Sequence, residues 1–184
     1  MIKGENEFMT DVLFYQNYTY VADISAIVLC IICWLLLHSS YAVREKSLVI
    51  FKAGTVCLMM ATVCSISFHT AIARITESRK VLIYVLQDGI YLFLILTFVL
   101  LCNYFGALLK LEERPARLLS AVSWGGYAVF AFLEIGSPFT HLGFYIDADL
   151  MVHQNFYFEP FRFAYIYYCI VLVVVLFTYR KRFV

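Results

Sequence analysis

The chain has 184 residues, 63% of them apolar and only 15% charged, with 14 Lys and Arg against 13 Asp and Glu for a formal net charge of +1. Soluble domains run at roughly 45–50% apolar and about 25% charged, and the mean hydropathy of this chain is +0.82. The composition excludes an ordinary soluble domain and shows no nucleic-acid patch, and it is that of an integral membrane protein.

A helix that crosses a bilayer needs about 20 mostly apolar residues, because hydrocarbon offers no partner to an open backbone group. The chain begins polar and aromatic, MIKGENEFMTDVLFYQNYTY, without the basic stretch and short apolar run of a cleaved signal peptide. The first apolar segment is therefore expected to be retained. Five segments qualify, at about 20–42, 48–73, 81–109, 117–136 and 161–179. The expected fold is an all-α, five-transmembrane-helix bundle forming a single domain, with the lipid bilayer as its main partner.

In chain order, the Asn17-Tyr18-Thr19 triplet matches a glycosylation acceptor, a pattern common by chance. The first span carries CIIC at Cys30 to Cys33. A redox pair normally sits at a helix N-terminus or an accessible surface where thiolate is stabilised, so packing is the expected role. All six Cys fall inside apolar spans, as small buried hydrophobes do, and no disulfide framework is expected. The third connection, LKLEERPARLL, fits a helix end followed by a helix with Pro115 in its first turn. Gly125 and Gly126 in the fourth span are expected to allow close helix contact or a local bend.

At Gly136-Ser137-Pro138 the fourth helix is expected to stop, since Pro138 lacks an amide hydrogen and its ring pushes Ser137 out of helical geometry. The connection over 137–160 then holds two aromatic and branched runs, GFYID and VHQNFYF, around ADLM. That pattern predicts a β-hairpin. Pro160 precedes the last span.

Orientation follows the distribution of Lys and Arg. Arg44, Lys46, Lys110, Arg114, Arg117, Arg180, Lys181 and Arg182 fall in the first and third connections and the tail, whereas 137–160 contains neither residue type. Lys3, Arg74, Arg79 and Lys80 lie on the opposite side, and the second connection, RITESRK, counts against the orientation that the sum favours. The expected topology places the N-terminus outside and the C-terminus in the cytoplasm, with the hairpin extracytoplasmic.

Ionisable groups inside spans are costly in hydrocarbon and usually face a cavity or a partner. Asp23, His69, Asp88 and Glu134 come out at similar depth in the outer half at about 1.5 Å of rise per residue, and Arg162 joins them at the start of the last span. Two readings follow: interfacial snorkelling and packing ion pairs, or a polar pocket open to the outside. Lys52 and His38 lie near cytoplasmic ends and are expected to reach the interface. Asp147, Asp149, His153 and Glu159 are the loop candidates for ligand binding. No His pair with a carboxylate at ligand spacing is present, no nucleophile sits beside a His in a recognisable catalytic arrangement, and no cofactor is expected.

The run GSPFTHLGFYIDADLMVHQNFYFEPFRFAYIYY resembles the last extracytoplasmic loop of the multi-span sensory regions that precede GGDEF diguanylate cyclase domains in bacteria, with related regions ahead of some histidine kinases. Phe51, the stretch YLFLILTFVLLCNYFGALL and the Pro115 connection occupy similar places. HQNFYFEP stands where the family often has an Arg-Gly-Pro turn, and no GGDEF domain follows Val184. YRKRFV reads as the start of a helical linker, so a chain cut at the membrane boundary is expected. The resemblance implies a sensor in the bacterial cytoplasmic membrane that takes a small-molecule or lipid ligand and acts as a homodimer through a cytoplasmic output. The chain itself is not expected to be an enzyme. A small transporter or channel using the same acids for proton or cation coupling is the alternative, and a thiol oxidoreductase built on CIIC is a third.

Overall fold

A computed structural model describes residues 21–36, 46–141, 143–147, 150, 152–154 and 160–180. The described part of α1 is Val21–Leu36. It is followed by α2 (Lys46–Ile72), a 3-10 turn (Glu77–Arg79), α3 (Lys80–Leu108), α4 (Glu113–Thr140), β1 (Phe144–Ile146), β2 (Val152–Gln154) and α5 (Pro160–Thr178). The protein is mostly helical, and within α2 to α5 four segments are long and apolar enough to cross a membrane: Ser47–Ile72, Glu77–Leu108, Glu113–Ile135 and Pro160–Thr178. The described part of α1 is apolar but shorter. This is the architecture of a multi-pass membrane protein.

The helices meet the demands of lipid in two ways. Apolar side chains point outward, with Phe132 79% and Phe177 69% exposed, which suits hydrocarbon and not water. Hydroxyls turn back onto their own helix. Thr55, Thr62, Ser67, Thr97, Ser123 and Thr178 each donate to the carbonyl four residues earlier, so none is left open to the chain tails.

Central to the bundle is α3, which packs against α2, α4 and α5. Close approach comes from small residues, as expected where helices associate without a hydrophobic drive. A Cβ on Gly89 would lie 3.1 Å from the Cys64 sulfur, and one on Gly106 would lie 3.1 Å from Leu119 Cδ2. The core between α3, α4 and α5 contains Ile95, Val99, Cys102, Leu119, Ala164 and Tyr168. Tyr168 is fully buried and donates to the Ser123 carbonyl at 2.8 Å, while Tyr167 donates to the Val122 carbonyl at 2.9 Å.

Between α3 and α4 the chain reverses through a Schellman turn. The Leu111 amide bonds the Gly106 carbonyl at 3.2 Å and the Lys110 amide bonds the Ala107 carbonyl at 3.1 Å. Lys110 adopts φ 47° at the position where Gly is usual, a conformation that costs a residue with Cβ roughly 1–2 kcal/mol. Pro115 falls in the first turn of α4, where its missing amide hydrogen costs nothing.

The far end of α4 corrects the sequence expectation. The helix does not stop at Gly136-Ser137-Pro138 but runs on to Thr140, with Pro138 inside it. It ends on His141 in the left-handed conformation, φ 55°, whose amide bonds the Ser137 carbonyl at 2.9 Å. Pro138 withdraws only one hydrogen bond, that to the Glu134 carbonyl, and does so in the last turns, where helical order has few further bonds to lose. The predicted hairpin is present: β1 and β2 pair antiparallel with Tyr145 opposite His153. All six cysteines are free.

Candidate functional site

Strand alternation gives the hairpin two faces. Phe144 and Ile146 point inward and join Phe68, Ala71 and Ile83 in a second core at the ends of α2 and α3. The Phe144 ring meets Phe68 edge-on at 5.6 Å and Tyr84 at 5.7 Å. The Tyr84 hydroxyl accepts a hydrogen bond from the Ile146 amide at 2.8 Å and lies 3.5 Å from the Ile146 carbonyl. Lys80 donates to the Asp147 carbonyl at 2.9 Å. The strand edge that β2 leaves uncovered is therefore paired by side chains of α3, and the hairpin is fixed to the helix ends.

On the outward face, Tyr145 stacks on His153 at 4.8 Å with the rings 14° apart, and His141 meets it edge-on at 4.4 Å. His153 Nε2 and Asp147 Oδ2 are hydrogen-bonded at 2.8 Å. Two of the predicted loop residues are thus joined as a partly exposed pair. Glu159 and Asp149 lie outside the described residues, as does His38.

The hairpin is joined to the last two helices at Gly143. A Cβ there would lie 2.8 Å from Ser137 Oγ and 3.4 Å from Pro160 Cδ, so the end of α4, the start of β1 and the start of α5 converge on a point that only Gly fits without displacement. Ser137 Oγ is buried with no hydrogen-bond partner. Glu134, one turn earlier on the same face, is 2% exposed.

The five ionisable groups predicted to share a layer lie on two sets of helices, α1 with α2 and α3 with α4 and α5. In the first, Ser65 donates to Asp23 Oδ2 at 2.7 Å, and His69 lies one turn beyond Ser65 on α2. The hydrogen bond links α1 to α2. The serine bonds the carboxylate and not the imidazole, which is not the arrangement of an activated nucleophile. In the second set, Asp88 lies seven, eleven and fourteen residues before the buried Ile95, Val99 and Cys102, and so belongs to the stripe of α3 that faces α4 and α5. Glu134 occupies the matching stripe of α4 with Leu119, Ser123 and Ser137. Arg162 is exposed on α5, beside Phe161, which stacks on Tyr91 at 5.0 Å.

Sequence reasoning passed over a cavity at the opposite end of the bundle. It measures about 570 Å³ and is lined by Ser47, Asn103, Lys110, Glu113, Arg117 and Ser120 together with apolar side chains. These residues come from three helices and a turn, and only folding brings them together. Among the described residues no group of three His, Cys, Asp or Glu could hold a metal. In CIIC, Cys30 is buried and Cys33 exposed. No family model, curated protein or solved structure matches the chain.

Proposed function

We propose that the chain is a membrane-embedded signal-sensing module with five spans, an outer N-terminus and a cytoplasmic C-terminus, sitting as a homodimer in a bacterial cytoplasmic membrane. A small molecule or lipid from outside or from the bilayer binds at the hairpin end, and α5 relays the change to a cytoplasmic output such as a diguanylate cyclase.

The observation that carries this proposal is the double attachment of the hairpin. On one side Tyr84 and Lys80 hold β1 to α3, and on the other Gly143 sits against Ser137 and Pro160, the first residue of α5. A ligand that favours a different seating of the hairpin necessarily acts on the start of α5. It shifts the equilibrium only by its differential affinity for the two packings. The candidate ligand contacts are Asp23, His69, Asp88, Glu134, Arg162, Asp147, His153 and Glu159. Support over a transporter comes from the middle of the α3–α4–α5 interface, where 89–108, 118–133 and 163–178 contain no Asp, Glu, Lys, Arg or His to pass an ion or proton along.

The test is a fusion of residues 1–184 to a diguanylate cyclase catalytic domain, with cyclic di-GMP read in cells. Lys80→Met and Arg162→Ala are expected to change output by about fivefold, the effect of roughly 1 kcal/mol on a two-state equilibrium. Output unchanged by both, at equal membrane insertion, rejects the proposal.

A further inference from the structure

We propose that the cavity at the end of the bundle opposite the hairpin binds the phosphate headgroup of an anionic membrane lipid. Its volume of about 570 Å³ falls within the roughly 300–1,000 Å³ of small-ligand sites. The polar wall supplies the groups such a headgroup needs: Lys110 and Arg117 for phosphate, and Ser47, Asn103 and Ser120 for its ester and hydroxyl oxygens. Among the described residues of that wall two cations, Lys110 and Arg117, stand against one acid, Glu113.

The backbone of Lys110 adds an independent observation. The turn holds it at φ 47°, where Gly relieves the strain, yet a long cation occupies the position. A strained residue kept at a cavity wall points to a role for its side chain.

The choice of a lipid over a soluble phosphate ester rests on the apolar surroundings. Leu111 and Leu119 line this cavity and also an apolar groove of about 310 Å³ between α4 and α5, so polar and acyl-sized spaces adjoin at a membrane-spanning bundle. Basic pockets between spanning helices are a recurrent form of headgroup site.

Native mass spectrometry of the full chain in detergent, given equal phosphatidylglycerol and phosphatidylcholine, tests the proposal. The wild type should retain phosphatidylglycerol preferentially. Lys110→Gly and Arg117→Gln should each cut that preference by about fivefold, the loss of one cation near a membrane surface, and Arg74→Gln at the hairpin end should not. Lys110→Gly removes the charge while relieving the strained turn, so it should melt at or above the wild-type temperature, which separates a lost site from a lost fold. Equal retention of both lipids by the wild type, or a preference that survives both substitutions, overturns the proposal. Glycerol 3-phosphate binding as tightly as phosphatidylglycerol, with the same dependence on Lys110, overturns the lipid assignment in favour of a soluble ester.

Discussion

Substituting Gly126 by Ala places a methyl group 2.5 Å from Tyr167 Cε1, 3.1 Å from its Cζ and 3.2 Å from the Tyr168 hydroxyl. Carbon atoms in contact rest at about 3.5–4.0 Å, so the Tyr167 ring must move by roughly 1 Å. It cannot do so freely, because its hydroxyl is bonded to the Val122 carbonyl at 2.9 Å. Losing that bond costs about 0.5–1.5 kcal/mol, and overpacking adds roughly 1–3 kcal/mol. The better helix propensity of Ala returns about 1 kcal/mol. The expected net loss is therefore about 0.5–3.5 kcal/mol. Gly125 is the built-in control, since its Cβ would meet nothing within 4 Å and Ala there should be neutral or stabilising by up to about 1 kcal/mol. Unfolding in detergent mixed with increasing SDS measures both. Equal stability of the two variants, or a Gly126→Ala protein as stable as wild type, would refute the packing argument. A double variant with Tyr167→Leu should recover part of the loss, because removing the ring removes the clash.

At the hairpin, Tyr84→Phe deletes the acceptor of the Ile146 amide and leaves that group without its side-chain partner, at a cost of about 1–3 kcal/mol; hydrogen exchange at Ile146 should quicken by at least about fivefold, and unchanged protection would show that Tyr84 does not hold the strand. Gly143→Ala forces apart Ser137 Oγ and Pro160, which lie 2.8 and 3.4 Å from the added carbon. It should cost about 1–3 kcal/mol and alter cyclase-fusion output with α5 still inserted, and an output equal to wild type would disconnect the hairpin from the helix.

The long elements were legible because one physical demand dominates them. Hydrocarbon forces apolar residues and complete backbone pairing over about 20 residues, and α2 to α5 are read directly from that length. The hairpin was legible from its aromatic runs. Pro138 misled because the missing amide bond was weighed as if in a helix interior, whereas α4 has only two residues left beyond it. The grouping of Asp23, His69, Asp88, Glu134 and Arg162 used depth alone. Depth follows from rise per residue, but which neighbour a side chain meets depends on rotation about the axis, and that is set by contacts such as Gly89 with Cys64. The cavity around Lys110 had no signature in the chain, since Ser47, Asn103 and Arg117 are far apart in sequence and ordinary in type.

The last helix is held by two attachments of different character, and their relative strength determines how it moves. Near its start, Pro160 abuts Gly143 and the hairpin. Half a helix further on, Tyr167 and Tyr168 donate to the Val122 and Ser123 carbonyls. Those carbonyls also belong to the α4 ladder, so breaking the tyrosine bonds leaves them paired within their own helix. Each such interhelical bond is then worth only about 0.6–1.5 kcal/mol in lipid. Carbonyls recur at every residue along α4, but the ring of Tyr167 fits only where Gly126 lacks a side chain, so the hydroxyls supply adhesion and the glycine supplies register. A shift of α5 along α4 must therefore lift one ring out of one notch, and a gap of about 1–3 kcal/mol between the two packings would leave the minor one at roughly 16% down to below 1%. Reversing a gap of that size takes a ligand with roughly thirtyfold to ten-thousandfold differential affinity for the two packings.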